Sequence, residues 1–131
     1  MAFEKYDNQN TRWHSNGYKI RIAKDCRINL GRNFLRSNNL FDDNIKFVDL
    51  YFDKGNNRIG FSFLNEEDAS FNSIRIYGNG TKGSHTPYLS RKRFFSYYQI
   101  EWNKSFAFTV HKEQSTNLFY INLSDANESE A

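Results

Sequence analysis

Residues 18–23, YKIRIA, alternate apolar and polar side chains at period two, as a strand with one buried face does. Lys24-Asp25-Cys26 reads as a turn, after which Cys26, Ile28 and Leu30 alternate with Arg27 and Asn29 as a second strand. In GRNFLRSNNLF (31–41), Phe34, Leu35, Asn38 and Phe41 fall at near-helical spacing, which predicts a short helix with one apolar side. NIKFVDLYF (44–52) and RIGFSF (58–63) predict two strands joined by DKGNN, a tight-hairpin signal. The plan is strand, strand, short helix, strand, strand.

The same plan recurs further along. SIRIY (73–77) predicts a strand, GNGTKGSHTP a long Gly-rich turn and YLS a short strand. RKRFFSYYQI (91–100) predicts a helix, and SFAFTVH with LFYINL a closing hairpin across KEQSTN. YKIRIA and NSIRIY share an IRI core 54 residues apart. Beyond the GNGTKGSH segment the offset becomes 60: Phe34 matches Phe94, Leu40 matches Ile100, Val48 matches Phe108, and Ile59, Phe61 and Phe63 match Phe119, Ile121 and Leu123. Internal self-similarity of this kind predicts two copies of one unit. The expected organisation is a polar arm over 1–16 and a single domain over 17–123. That domain holds repeats 17–64 and 71–123 with a connector at 65–70. An acidic, disordered tail is expected over 124–131.

The basic ββαββ unit opening on KIRIAKDCRINLGRNFLRSNNL resembles the AbrB/SpoVT/MazE swapped-hairpin family. That family has a strand, a turn, a Gly-Arg-hydrophobic strand ending in Ile-Pro, a short helix and then a hairpin, and DCRINLGRNFL stands where its turn, second strand and helix start would be. Two units in one chain resemble the tandem arrangement of MraZ proteins. Cys26 stands where the family pattern has Gly, Gly31 lies near its Pro, and the second unit lacks the Gly-Arg turn. The resemblance implies a mostly β fold with short helices (α+β), a pseudo-two-fold swapped-hairpin-like β-barrel built from the two ββαββ repeats. It also implies DNA binding by basic residues of the first hairpin and helix start, for transcription regulation or as an antitoxin, without enzyme chemistry.

Composition sharpens this picture in two respects. Thirteen Phe and eight Tyr favour a core of pleated sheet, on which aromatic side chains pack well. The net charge is only +3, but it is blocked along the chain. Residues 1–36 carry a net +5, 37–74 a net −4, 75–112 a net +6 and 113–131 a net −4. Basic surface attracts phosphate backbones. One cysteine excludes an intramolecular disulfide, and no apolar run approaches the ~20 residues of a membrane span, so a cytoplasmic protein away from membranes is expected.

The candidate nucleic-acid-binding residues are Lys19, Arg21, Lys24, Arg27, Arg32 and Arg36 in the first unit, and Arg75, Lys82, Arg91, Lys92 and Arg93 in the second. Alternation turns Lys19, Arg21 and Arg27 away from the face of Ile20, Ile22 and Ile28, where phosphate or a guanine edge is reachable. Solvated side chains are the competing reading. SRKR at a helix start opposes the helix dipole, a cost that a bound polyanion relieves. GNGTKG lacks the Walker spacing and reads as a flexible loop. His14, His85 and His111 lie in separate segments with no metal-ligand spacing, so no metal, cofactor or catalytic site is expected. The aromatic runs FFSYY and FVDLYF offer stacking faces for single-stranded nucleic acid only if their rings escape the core. Double-stranded DNA is the leading partner. The alternative is a small phage or mobile-element protein that binds a host protein or nucleoprotein complex, such as a defence-system inhibitor. The oligomeric state is open.

Overall fold

A computed structural model describes residues 19–80, 86–114 and 116–126. The alternating segments form strands β1 (Lys19–Ile22), β2 (Arg27–Leu30), β3 (Ile45–Asp53), β4 (Arg58–Asn65), β5 (Ile74–Arg75), β6 (Tyr88–Ser90), β7 (Phe106–Thr109), β8 (His111–Lys112) and β9 (Leu118–Asn122). Helix α1 (Arg32–Ser37) separates β2 from β3, and α2 (Lys92–Tyr97) separates β6 from β7. The fold is therefore mostly β with short helices. All ladders are antiparallel, in a four-stranded sheet of order β6-β2-β1-β7 and a five-stranded sheet of order β5-β3-β4-β9-β8.

Both helices are shorter than their apolar spacing predicts, for the same reason. Asn39 (φ 59°) and Gln99 (φ 56°) adopt the left-handed conformation that ends a helix. The chain then folds back: the Leu40 amide donates to the Leu35 carbonyl at 2.7 Å, and the Ile100 amide to the Phe95 carbonyl at 2.8 Å. In α1 the Asn38 side chain also donates to the Phe34 carbonyl (2.9 Å). Each six-residue helix buries one adjacent pair, Phe34 with Leu35 and Phe94 with Phe95.

Two expected strands are interrupted where they change partners. SIRIY pairs with β3 only over Ile74 and Arg75, and the Ile76 amide still reaches the Lys46 carbonyl (2.8 Å). Tyr77 then exchanges two backbone bonds with Tyr88, at 2.8 and 3.0 Å, on the edge of the other sheet. SFAFTVH splits likewise: β7 pairs with β1, Val110 intervenes, and β8 pairs with β9. The β1–β2 turn closes through Cys26 at φ 70°, the position at which the resembled pattern carries glycine.

One buried cluster joins both sheets and both helices. Ile20, Ile22, Ile28, Leu30, Leu89 and Phe108 come from the four-stranded sheet; Val48, Ile59, Phe61, Phe119 and Ile121 come from the other. Phe34 meets Phe119 edge-on, with ring centres 5.2 Å apart, and Phe63 at 6.0 Å. The cluster runs past residue 123, correcting the expected start of the tail: Ser124–Ala126 form a helical turn and Ala126 is buried. Hydrophobicity alone hid this, because the segment carries a single small apolar side chain among polar ones.

The β3–β4 hairpin is held by one carboxylate. Asp53 accepts from the Asn56 side chain at 2.9 Å and from Arg58 Nη2 at 2.8 Å, and the Asn56 backbone amide adds a third bond at 3.2 Å. These hydrogen bonds, Asn56 first and Arg58 next, hold its carboxyl down to about 2. A carboxyl that ionises more readily in the folded chain stabilises it above the unfolded pKa near 3.9, and that contribution is lost as pH falls toward 2. Asp53→Asn is expected to lower the urea midpoint at neutral pH, with the difference from wild type narrowing between about pH 5 and pH 2. A difference that persists unchanged at pH 2 would show that the charge is not its source.

Candidate nucleic-acid interface

Strand alternation builds the candidate surface. On the four-stranded sheet the even-numbered side chains of β1 and β2 enter the core, leaving Lys19, Arg21, Arg27 and Asn29 on the opposite face. Arg21 lies across from Asn29 on one side and Ala107 on the other; Lys19 lies across from Thr109, and Arg27 from Ser90. Arg21 and Arg27 are exposed, and Lys19 is half-buried. No carboxylate of the described residues forms an ion pair with any of the three. Asp25, the nearest acid in sequence, accepts instead from the Arg27 backbone amide at 3.2 Å.

The second basic set adjoins this face. Ser90, directly across from Arg27, leads into Arg91, Lys92 and Arg93, all exposed. The β1–β2 turn sits against the segment that follows α2. Trp102 Nε1 donates to the Ala23 carbonyl (3.0 Å), and the Lys24 amide donates to Ser105 Oγ (3.0 Å). Lys92 lies close enough to act on the Cys26 thiol. Burial raises that thiol above its ordinary value, and the Lys92 ammonium opposes the rise without cancelling it. Cys26 is thus a buried core residue.

Arg75 arrives by a different route. The Arg27 guanidinium lies 4.4 Å over the Tyr88 ring. Tyr88 stacks on Tyr77 with ring centres 5.5 Å apart and planes 28° apart, and the Arg75 guanidinium lies 6.0 Å from the centre of Tyr77. The row Arg27, Tyr88, Tyr77, Arg75 crosses from one sheet to the other. Both tyrosines are functional candidates that the sequence reading missed. The signal was present: Tyr77 is in phase with Arg75 in SIRIY. The contact across β6 was not legible.

The remaining candidates divide. Arg32 and Arg36 belong to α1, which begins beside β1, since the Gly31 amide donates to the Lys19 carbonyl (3.2 Å). Arg32 Nε is buried with no hydrogen-bond partner among the described residues, and Arg36 lies over the Phe41 ring at 4.8 Å. Lys82, with His85, lies outside the described residues. The start of its loop is pinned: Asn79 Nδ2 donates to the carbonyls of Leu40, Asp42 and Ile45, at 3.0, 3.2 and 2.8 Å.

Away from this surface, the aromatic run FFSYY divides between core and solvent. Phe94 and Phe95 are buried, whereas Tyr97 is 76% exposed. Tyr98 and Phe52, in ring contact at 5.1 Å, line a cleft of about 410 Å³ with Lys54, Gln99 and Trp102. Phe71, in the connector before β5, is 95% exposed. Among the described residues no group of three or more His, Cys, Asp and Glu side chains converges in a way that could hold a metal ion, and no helix is long and apolar enough to cross a membrane.

No protein-family model, curated protein or solved structure matches this chain.

Proposed function

We propose that the chain is a non-enzymatic DNA-binding protein that grips double-stranded DNA with the outward face of the β6-β2-β1-β7 sheet, acting as a small cytoplasmic regulator of AbrB type. The observation that carries this reading is the junction of the two basic sets. Arg27 pairs across the strands with Ser90, and Arg91 and Lys92 follow at once. Residues far apart in sequence are thus brought onto adjoining strands, and no described carboxylate forms an ion pair with Lys19, Arg21 or Arg27. Such a surface suits a polyanion recognised through its backbone.

The proposed architecture beneath it is a pseudo-two-fold barrel of two interleaved ββαββ units. Register supports this. Advancing Ile20 by 54 residues gives Ile74, and setting Phe108 back by 60 gives Val48; Ile20 pairs with Phe108, and Ile74 pairs with Val48. The same offset of 60 turns the pair Ile59 and Ile121 into Phe119 and Phe61, which also pair. It likewise relates the two left-handed helix ends, Asn39 and Gln99. The Tyr77–Tyr88 bridge and the β7–β8 continuation span the two seams between sheets, as barrel closure requires.

Fluorescence anisotropy with a labelled duplex of mixed sequence tests the function. Binding is expected at low salt, weakening steeply between about 50 and 200 mM as neutralised phosphates recapture counterions. Absence of binding at low salt removes the reading. The exposed Phe71 and Tyr97 favour a second one, a protein partner. Recovery of one stoichiometric, nuclease-insensitive partner, with no duplex binding, would select it.

A further inference from the structure

Within that reading, we propose that Tyr88 and Tyr77 form a positioning spine that holds Arg27 and Arg75 as clamps for the phosphodiester backbone of duplex DNA. The inference rests on the DNA-binding function above and adds the residues and the chemical group at its centre.

Topology decides which parts of the tyrosines are available. β6 has β2 on one side and the Tyr77 bridge on the other. The Arg27 guanidinium thus lies 4.4 Å over the Tyr88 ring from the strand on one side, and Tyr77 stacks against that ring at 5.5 Å from the other. One face of Tyr77 is occupied by Tyr88 in the same way. Single-strand binders need open aromatic faces on which bases stack. Here Tyr88 is covered by Arg27 and Tyr77, while Tyr77 itself remains 49% exposed.

A guanidinium lying flat on a ring satisfies its apolar faces and keeps its N–H edge free. That edge matches two oxygens of a phosphate in a bidentate contact. The stacking also fixes a long side chain before the ligand arrives, which removes part of the ordering cost of binding. At 4.4 Å Arg27 is the better-seated clamp; Arg75, at 6.0 Å, is held more loosely. Replacing either tyrosine removes no cationic group, so their effect is on the strength of binding and not on the number of counterions released.

A double-mutant cycle tests the assignment. Wild type, Arg27→Ala, Tyr88→Leu, Tyr88→Phe and Arg27→Ala/Tyr88→Leu are titrated against a labelled duplex and against oligo-dT across a salt series, with melting curves for each. Tyr88→Leu is expected to weaken duplex binding by about five- to tenfold with an unchanged salt slope, and Tyr88→Phe to bind as wild type. Arg27→Ala is expected to lower the slope by about 0.9. Adding Tyr88→Leu to Arg27→Ala is expected to cost much less than in wild type, only the looser hold on Arg75 through Tyr77 remaining to be lost. If Tyr88→Leu melts before it can be assayed, Tyr77→Leu enters the same cycle against Arg75→Ala. An equal loss from Tyr88→Leu in both backgrounds overturns the positioning role while leaving DNA binding intact. So does a loss confined to oligo-dT, which would make the row a base-stacking platform. Failure of wild type to bind duplex removes the underlying function itself.

Discussion

Replacing Lys19, Arg21 and Arg27 together with alanine is expected to weaken duplex binding by about a hundredfold or more at 50 mM salt, and to flatten its salt dependence by two to three units of slope. The three charges share the outward face of β1 and β2. Each phosphate neutralised on a duplex contributes about 0.9 to the slope, so losing three contacts sets the size of the change. The loss should be similar across unrelated sequences, because backbone contacts position a protein without reading bases. The melting temperature should fall only modestly, chiefly through loss of the Arg27 contact with the Tyr88 ring. None of these side chains forms an ion pair with a described carboxylate, and substitutions at such surface sites usually change stability by no more than about 0.5 kcal/mol. Anisotropy across a salt series, beside a melting curve, separates the two effects. An unchanged slope would assign the phosphate contacts to other residues.

Phe34→Ala is expected to remove about 3–5 kcal/mol of stability. Phe34 is 1% exposed and is the side chain by which α1 reaches the second sheet, touching Phe119 of β9 and Phe63 of β4. Truncation removes transfer energy and leaves a cavity where aromatic neighbours cannot easily collapse. Domains of this size hold about 5–15 kcal/mol in all, so the variant should lie near its unfolding threshold. Urea denaturation should show a lower midpoint with little change in slope. Phe94, its counterpart in α2, is 9% exposed and contacts Phe95 and Tyr98 of its own segment. Its replacement should cost less. Equal losses would mean that the two helices brace the core to the same degree.

Period-two alternation in YKIRIA and RIGFSF was sufficient to find strands: in the first it follows a buried and an outward face, and in the second it held although Gly60, on the face opposite Ile59 and Phe61, is also buried. The hairpin at DKGNN was equally readable, since its turn chemistry is local. Helix ends were not, because Asn39 and Gln99 stop the helices through backbone conformation where the apolar spacing continues. The partner exchanges at Tyr77 and Val110 depend on strands remote in sequence, and no local pattern announces them. The candidate surface divides along the same line. Arg21 and Arg27 were legible from phase alone. Tyr88 was not, because its role comes from Arg27 on one neighbouring strand and Tyr77 beyond the other edge. Ala126 escaped notice because a single methyl carries no periodicity.

The strand pairings have a consequence for how the chain can be divided. β1 is completed by β7, β2 by β6, β3 by β5 and β4 by β9. Every one of these ladders joins a strand before the connection between β4 and β5, residues 66–73, to a strand after it. A protease cut in that connector would leave neither fragment with a finished sheet, and the two should stay together through backbone bonds and a shared core. Expressed separately, the fragments should be unfolded alone and should recover the melting transition of the intact chain on mixing, with a concentration-dependent midpoint. The chain would then serve as a split reporter, its two pieces assembling only where both are present.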